Sequence, residues 1–272
     1  MKKYCIAPVI LLLALIASCA KPVTSNRYAL YALEYGESLF PEELIADTAS
    51  PGKQCPFSWF FYCLKTEDRV VLVDTGFADR KYVASFRLTR YTNPLDLLKN
   101  IGVKPEDVTD IILTHTHFDH AGTVHFFPNA RIYIRRAEYD AFRTTPLYGT
   151  VKNYFDARER RGLLHLPEGE FRFSEEVRII PAGGHTVGSQ GVIISSGGKA
   201  YWIVGDECYL RKYCDQCRAL PEKSSWSRKN NILFLRRMIS ARQKEKVIIL
   251  PMHDPVISTE YPAVREHIYK IF

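Results

Sequence analysis

The segment Thr114-His115-Thr116-His117-Phe118-Asp119-His120 constrains this chain more than any other, because it puts three histidines and an aspartate into six consecutive positions. It directly follows Ile111 to Leu113, a short apolar run that reads as a buried strand. Neutral imidazole nitrogen suits a metal such as zinc, and a carboxylate can complete or bridge a site. In an extended segment, alternation sends His115 and His117 to the same side. Asp119 and His120 lie beyond, where a turn can aim them at a second metal. A lone histidine is most often structural or superficial, and a cluster of four such groups after a buried strand is not explained that way. Three more candidates stand at the ends of apolar runs far along the chain. His185 follows Gly183-Gly184, Asp206 follows Tyr201 to Gly205, and His253 follows Val247 to Leu250.

The rest of the chain alternates short apolar runs with amphipathic stretches. Tyr28 to Tyr35, Trp59 to Lys65, Val70 to Val73, Arg131 to Ile134, Val177 to Pro181 and Val247 to Leu250 are predicted strands. Gly191 to Ser195 and Ala200 to Val204 form a predicted hairpin around Gly197-Gly198. Pro94 to Ile101, Ala137 to Thr144, Lys152 to Arg161, Asn231 to Gln243 and Ala263 to Tyr269 are predicted helices. Polar residues of interest at strand ends indicate an α/β sheet sandwich whose loops converge at one edge. No linker or internal repeat divides residues 28–272, which read as one domain. The aromatic-rich stretches Ser85 to Asn93 and Leu147 to Tyr154 are candidates to line a pocket.

Residues 1–18 read as a leader. Lys2 and Lys3 precede Ile6 to Ile16, an eleven-residue apolar run that suits a signal peptide and is too short to span a bilayer. Ile16-Ala17-Ser18-Cys19 resembles a bacterial lipobox, in which cleavage precedes the cysteine and its thiol is lipidated. A plain secretory signal, with Cys19 incidental, is the other reading. Residues 19–27 then form a short tether, the expected location is the bacterial cell envelope, and the membrane is a partner through the lipid. Without Lys2 and Lys3 the net charge falls from +7 to about +5, which calls for no nucleic acid. Of the seven cysteines, Cys5 leaves with the leader and Cys19 carries lipid. Cys55, Cys63, Cys208, Cys214 and Cys217 remain, an odd number. A zinc reading of Cys214-Asp215-Gln216-Cys217 needs a second pair, which the chain lacks. A local disulfide, or one between Cys55 and Cys63, suits an oxidising compartment.

The stretch HTHFDH at 115–120 resembles the HxHxDH signature of the metallo-β-lactamase superfamily. The rest of that family's pattern appears in order: Asp74 in a DTG turn, His185 in GGHT, Asp206 in a GD pair and a late His253. The resemblance spans about residues 28 to 260. It implies a four-layer αβ/βα sandwich holding two divalent metal ions, zinc being the expected one. His115, His117 and His185 would hold one ion, Asp119, His120 and His253 the other, and Asp206 would bridge them. Asp74 would orient ligands from behind. Within the superfamily the chain is most similar to N-acyl homoserine lactonases, which place a substrate-contacting tyrosine where Tyr209 stands here.

The resemblance implies hydrolysis of a small-molecule lactone or related ester by a metal-bound hydroxide. Tyr209 would stabilise the oxyanion and Asp119 would move the proton. A thioester hydrolase, a phosphodiesterase and a β-lactamase could use the same ligands. One β-lactamase subclass expects a cysteine where Asp206 stands, and Cys208 is two residues away. A lipoprotein holding metal only for structure is a reading of another class, but a closed structural site needs four ligands and seven candidates exceed that.

Overall fold

The computed structural model describes residues 28–47, 51–144 and 149–272, so the leader and the tether ending at residue 27 lie outside the described residues. Among the described residues no helix is long and apolar enough to cross a membrane. The strands form two sheets. The larger runs in the order Ala263–Arg265, Ile268–Lys270, Ala29–Pro41, Gln54–Lys65, Val70–Val73, Asp110–Ile112, Arg131–Tyr133 and Leu164–His165, with Arg90–Tyr91 also paired to Ala29–Pro41. The smaller runs Lys246–Leu250, Lys199–Ile203, Gln190–Ser196, Val177–Pro181 and Phe171–Arg172.

Two-residue alternation builds the layers. Leu30, Phe60, Tyr62, Val71, Val73 and Ile112 of the larger sheet meet Ile179, Val192, Ile194, Tyr201, Ile203 and Leu250 of the smaller in one buried cluster. Side chains of opposite parity, such as Phe61, Leu72 and Ile111 or Ile180, Ile193 and Trp202, belong to a second cluster that includes the helical residues Leu97, Leu98, Phe142, Phe155, Phe234 and Met238. Strands apolar on both faces are what two covered faces require. The result is the expected sandwich of helix, sheet, sheet and helix.

The topology decides where the polar residues emerge. Val70–Val73, Asp110–Ile112 and Arg131–Tyr133 are mutually parallel. Lys199–Ile203 and Lys246–Leu250 are also parallel. Their C-terminal ends release Asp74, the histidine-rich segment, Asp206 and His253 toward a common edge of the sandwich.

One predicted helix is corrected. Ala263 to Tyr269 forms parts of two strands, Ala263–Arg265 and Ile268–Lys270, that turn through His267 at a φ of 59°. A lone helix of that length is marginal in water. The larger sheet instead offers Tyr31, Ala32 and Leu33 as partners for Lys270, Tyr269 and Ile268. The cysteine expectation changes too. Cys208 is bonded to Cys214, while Cys55, Cys63 and Cys217 are free. Cys55 and Cys63 share the strand Gln54–Lys65. At about 3.3 Å per residue an extended strand holds them too far apart to bond.

Candidate metal centre

The loop after Asp110–Ile112 stays extended through His117 and then turns into the short helix Phe118–Ala121. That change of direction sends His115 and His117 one way and Asp119 and His120 another. His185 arrives from a loop packed tightly against its neighbours. A Cβ on Gly184 would lie 2.2 Å from Glu207 Oε2, and one on Gly188 would lie 2.1 Å from Glu138 N, so only glycine fits.

All seven predicted ligands meet. His115, His117, His185 and Asp206 form one group and Asp119, His120, Asp206 and His253 another, with the ligand atoms of each group within 4.8 Å of one another. Asp206 belongs to both. Its Oδ1 is 3.2 Å from Nε2 of His120 and 3.2 Å from Nε2 of His253. Its Oδ2 is 3.5 Å from Nε2 of His185 and 3.8 Å from Nε2 of His115. Asp119 Oδ2 lies 3.2 Å from His120 Nε2 and 3.6 Å from His253 Nε2. His120 Nε2, His253 Nε2 and Asp206 Oδ1 are buried without hydrogen-bonding geometry to any described group. Buried polar atoms normally find partners, and three converging orphans of nitrogen and oxygen type fit a divalent cation.

The outward nitrogens are spoken for, which sets the inward ones. His120 Nδ1 is 2.7 Å from Asp74 Oδ2, His253 Nδ1 is 3.0 Å from the Ser58 carbonyl, and His185 Nδ1 is 3.0 Å from the Ser224 carbonyl. Asp74 also accepts from the backbone N–H and the hydroxyl of Thr114, each at 2.7 Å. Its backbone sits at a φ of 61°, a left-handed conformation that L-residues other than glycine, asparagine and aspartate seldom adopt. That backbone turn aims the carboxylate behind the candidate ligands, in the place expected for Asp74.

Charge and burial oppose one another here. Burial holds His115 well below the usual histidine range and takes His117 down to about 4; protein atoms crowd its ring although part of the residue meets solvent. Burial acts the same way on His120, but Asp119, Asp206 and Asp74 together outweigh it and raise that ring well above the usual range. Burial works against the Asp206 carboxylate, and the neighbouring His120 and His253 rings outweigh it and hold the group far down. Tyr209 is kept protonated by burial first and then by Asp206 and Asp119.

Two buried glutamates complete the centre, and neither was singled out in the sequence. Glu138 accepts from the N–H and hydroxyl of Thr116 at 2.9 and 2.8 Å, from the Thr186 hydroxyl at 2.6 Å and from Gly188 N–H at 3.1 Å. It therefore ties the loop of His115 and His117 to the loop of His185. Glu207 accepts from the N–H groups of Gly184 and His185 at 3.0 and 2.9 Å, from Ser189 Oγ at 2.6 Å and from Asn231 Nδ2 at 2.8 Å. Its position directly after Asp206 was the one available signal.

Beside the centre lies a cavity of about 220 Å³ walled by Phe40, Phe57, Trp59, Phe86, Phe118 and Tyr209. Phe86 comes from the stretch expected to line a pocket. Tyr154, from the other such stretch, donates instead to the Phe127 carbonyl at 2.7 Å. The Cys208–Cys214 bond closes the turn that carries Tyr209.

Comparison with known proteins agrees with this geometry. The family described as the metallo-beta-lactamase superfamily matches residues 56–209. An N-acyl homoserine lactonase of Bacillus cereus is 29% identical over 182 residues, covering 61% of this chain and 70% of the relative. A probable metallo-hydrolase of Mycobacterium tuberculosis is 26% identical over 217 residues, covering 71% and 70%. Among solved structures, a quorum-quenching N-acyl homoserine lactone lactonase superposes with a TM-score of 0.74 at 23% identity, covering 87% of this chain and 96% of that one. An N-acyl homoserine lactone hydrolase with N-hexanoyl-L-homoserine at its catalytic metal centre gives 0.73 at 22%, covering 87% and 97%. At those identities the likeness is one of fold.

Proposed function

Because the chain belongs to the metallo-β-lactamase superfamily, we propose that it is a dinuclear metal hydrolase that opens a lactone or related carboxylic ester. The observation that carries the reading is Asp206, with one oxygen toward each histidine group. His115, His117 and His185 would hold one ion and Asp119, His120 and His253 the other, with zinc the expected metal. Bound, such a pair supplies hydroxide at neutral pH and polarises a carbonyl.

The chain's own residues do the rest. The aromatic cavity binds the apolar part of the substrate and keeps bulk water away from it. Tyr209, protonated and lining that cavity, donates to the oxygen that gains charge. Asp119, held as a carboxylate, takes up the proton and passes it to the departing oxygen. The lactonase relatives support a lactone as substrate. The reading also keeps residues 1–18 as a lipoprotein signal and Cys19 as the lipid-bearing residue, with the enzyme held at the bacterial envelope.

The test is a substrate panel given to the metal-loaded protein: an N-acyl homoserine lactone, a chromogenic β-lactam, a glutathione thioester and a bis-aryl phosphodiester. The lactone is expected to open fastest, and a chelator or Asp119→Asn is expected to abolish that activity. Faster turnover of the thioester, diester or β-lactam would replace the substrate assignment. Full activity in metal-stripped protein would overturn the hydrolytic reading itself.

A further inference from the structure

The aromatic cavity is not the only space that reaches the centre. A second cavity of about 550 Å³ is also lined by His117, His185 and Ser224. The two cavities therefore share His117 and His185 as walls. The second is larger than the first, at 550 against 220 Å³. A simple lactone carries its acyl and alcohol halves in one small ring, so one arm beyond the metals would serve it.

The walls of the second cavity differ in kind from those of the first. Ala141, Phe142, Val187 and Trp226 give it apolar surface, and Lys223 and Ser225 give it polar surface. Trp226 is 70% exposed, the most exposed of the large apolar side chains among the described residues. Its backbone is nevertheless fixed, because its N–H donates to the His185 carbonyl at 3.0 Å. An exposed indole on a backbone tied to that of a candidate ligand can stack on a flat group that enters this cavity.

Resting on the hydrolase reading above, we infer that this second cavity binds the alcohol half of an open-chain ester, with preference for an aromatic alcohol. The acyl half lies in the aromatic cavity, and the carbonyl lies between the two. In the reaction, the oxygen of water bonds to the carbonyl carbon and the bond from that carbon to the alcohol oxygen breaks. One proton of the water ends on the alcohol oxygen, so the products are a carboxylic acid and a free alcohol. The alcohol leaves through the second cavity, past Trp226.

Steady-state kinetics of the metal-loaded protein on 2-naphthyl hexanoate and on N-hexanoyl homoserine lactone test this. Trp226→Ala changes an exposed residue, and Ala141→Trp fills the cavity from an exposed helix position; neither belongs to the catalytic machinery. Trp226→Ala is expected to raise KM for the naphthyl ester by roughly five- to tenfold, the scale of one aromatic contact, and to leave kcat and the lactone KM within about twofold. Ala141→Trp is expected to suppress the ester and spare the lactone. Each comparison is between variants on one substrate, so the reactivity of naphthol as a leaving group cancels. The inference is overturned if the parent opens the lactone and not the ester, or if the variants move both substrates alike. Turnover of the ester alone would keep the second arm and remove the lactone assignment. Turnover of neither would remove the assignment of a lactone or ester as substrate, and this inference with it.

Discussion

The two halves of the centre are held in different ways. Around His120 and His253 the protein grips the imidazole rings themselves: Asp74 touches the His120 ring at 2.7 Å, and Phe57 stacks on the His253 ring at a centroid distance of 4.3 Å. Asp119, His120 and His253 are all buried. Around His115, His117 and His185 a ring is also held, His185 Nδ1 by the Ser224 carbonyl at 3.0 Å, but the buried carboxylates grip the loops. Glu138 and Glu207 bind backbone N–H groups and hydroxyls beside those histidines, and His117 faces the cleft. A directly clamped ligand loses its orientation when the clamp goes. A loop tied by several bonds loses stability first and ligand geometry second.

Asp206 is the one residue the halves share, so its removal has the largest expected effect. Asp206→Ala should empty both sites and cut activity by several kcal/mol of barrier, on the order of a thousandfold. Elemental analysis of the purified variant checks the metal content. Loss of a single equivalent would show that the carboxylate serves one half alone, and the symmetry would be broken.

The next contrast sets Asp74→Asn against Glu138→Gln. Asp74→Asn should weaken metal binding by about 10- to 100-fold, as losses behind a ligating histidine do, with the change confined to the half containing His120. Glu138→Gln should lower the stability of the metal-free protein by about 2–3 kcal/mol, because it replaces a buried charge that accepts four hydrogen bonds. Denaturant melts and competitive chelation read the two effects separately. If Glu138→Gln costs as much affinity as Asp74→Asn with no loss of stability, the distinction between clamped ligands and tied loops fails.

The same distinction explains what could be read from the sequence. The candidate metal-binding residues were legible because three histidines and an aspartate fall within six positions and the others stand at the ends of apolar runs. Val70–Val73 was legible because a strand covered on both faces is apolar throughout. Glu138 was not, because a glutamate on a helix with Arg136 and Arg143 looks like part of a solvated face. Its role depends on Gly188 and Thr186, which are 50 and 48 residues away in the chain. The closing strands were misread for a similar reason. Ile268–Lys270 pairs with Ala29–Pro41 at the other end of the domain, and a local pattern cannot register it.

The smallest expected effect concerns the wall of the aromatic cavity. Glu42, just past the strand that carries Phe40, accepts from Lys212 at 2.8 Å, pairs with Lys53 at 2.8 Å and hydrogen-bonds the Tyr213 hydroxyl. It thereby links that wall to the helix following Tyr209. Those hydrogen bonds, Lys212 first, hold its carboxyl at about 2 against an ordinary 4.5. The folded value is the lower one, so the contribution is present above the unfolded pKa of 4.5 and is lost as pH falls toward about 2. Side chains of Lys212 and Lys53 are 50% and 60% exposed, so solvent screening limits the effect to about 1 kcal/mol. Glu42→Gln should therefore flatten the acid limb of the stability profile between pH 4.5 and 2 without changing metal content. Stability measured by denaturant at several pH values checks it. An unchanged acid limb would mean that the cavity wall is held by packing of Phe40 on Phe57 rather than by this carboxylate, making it a region governed by neither clamp nor tie.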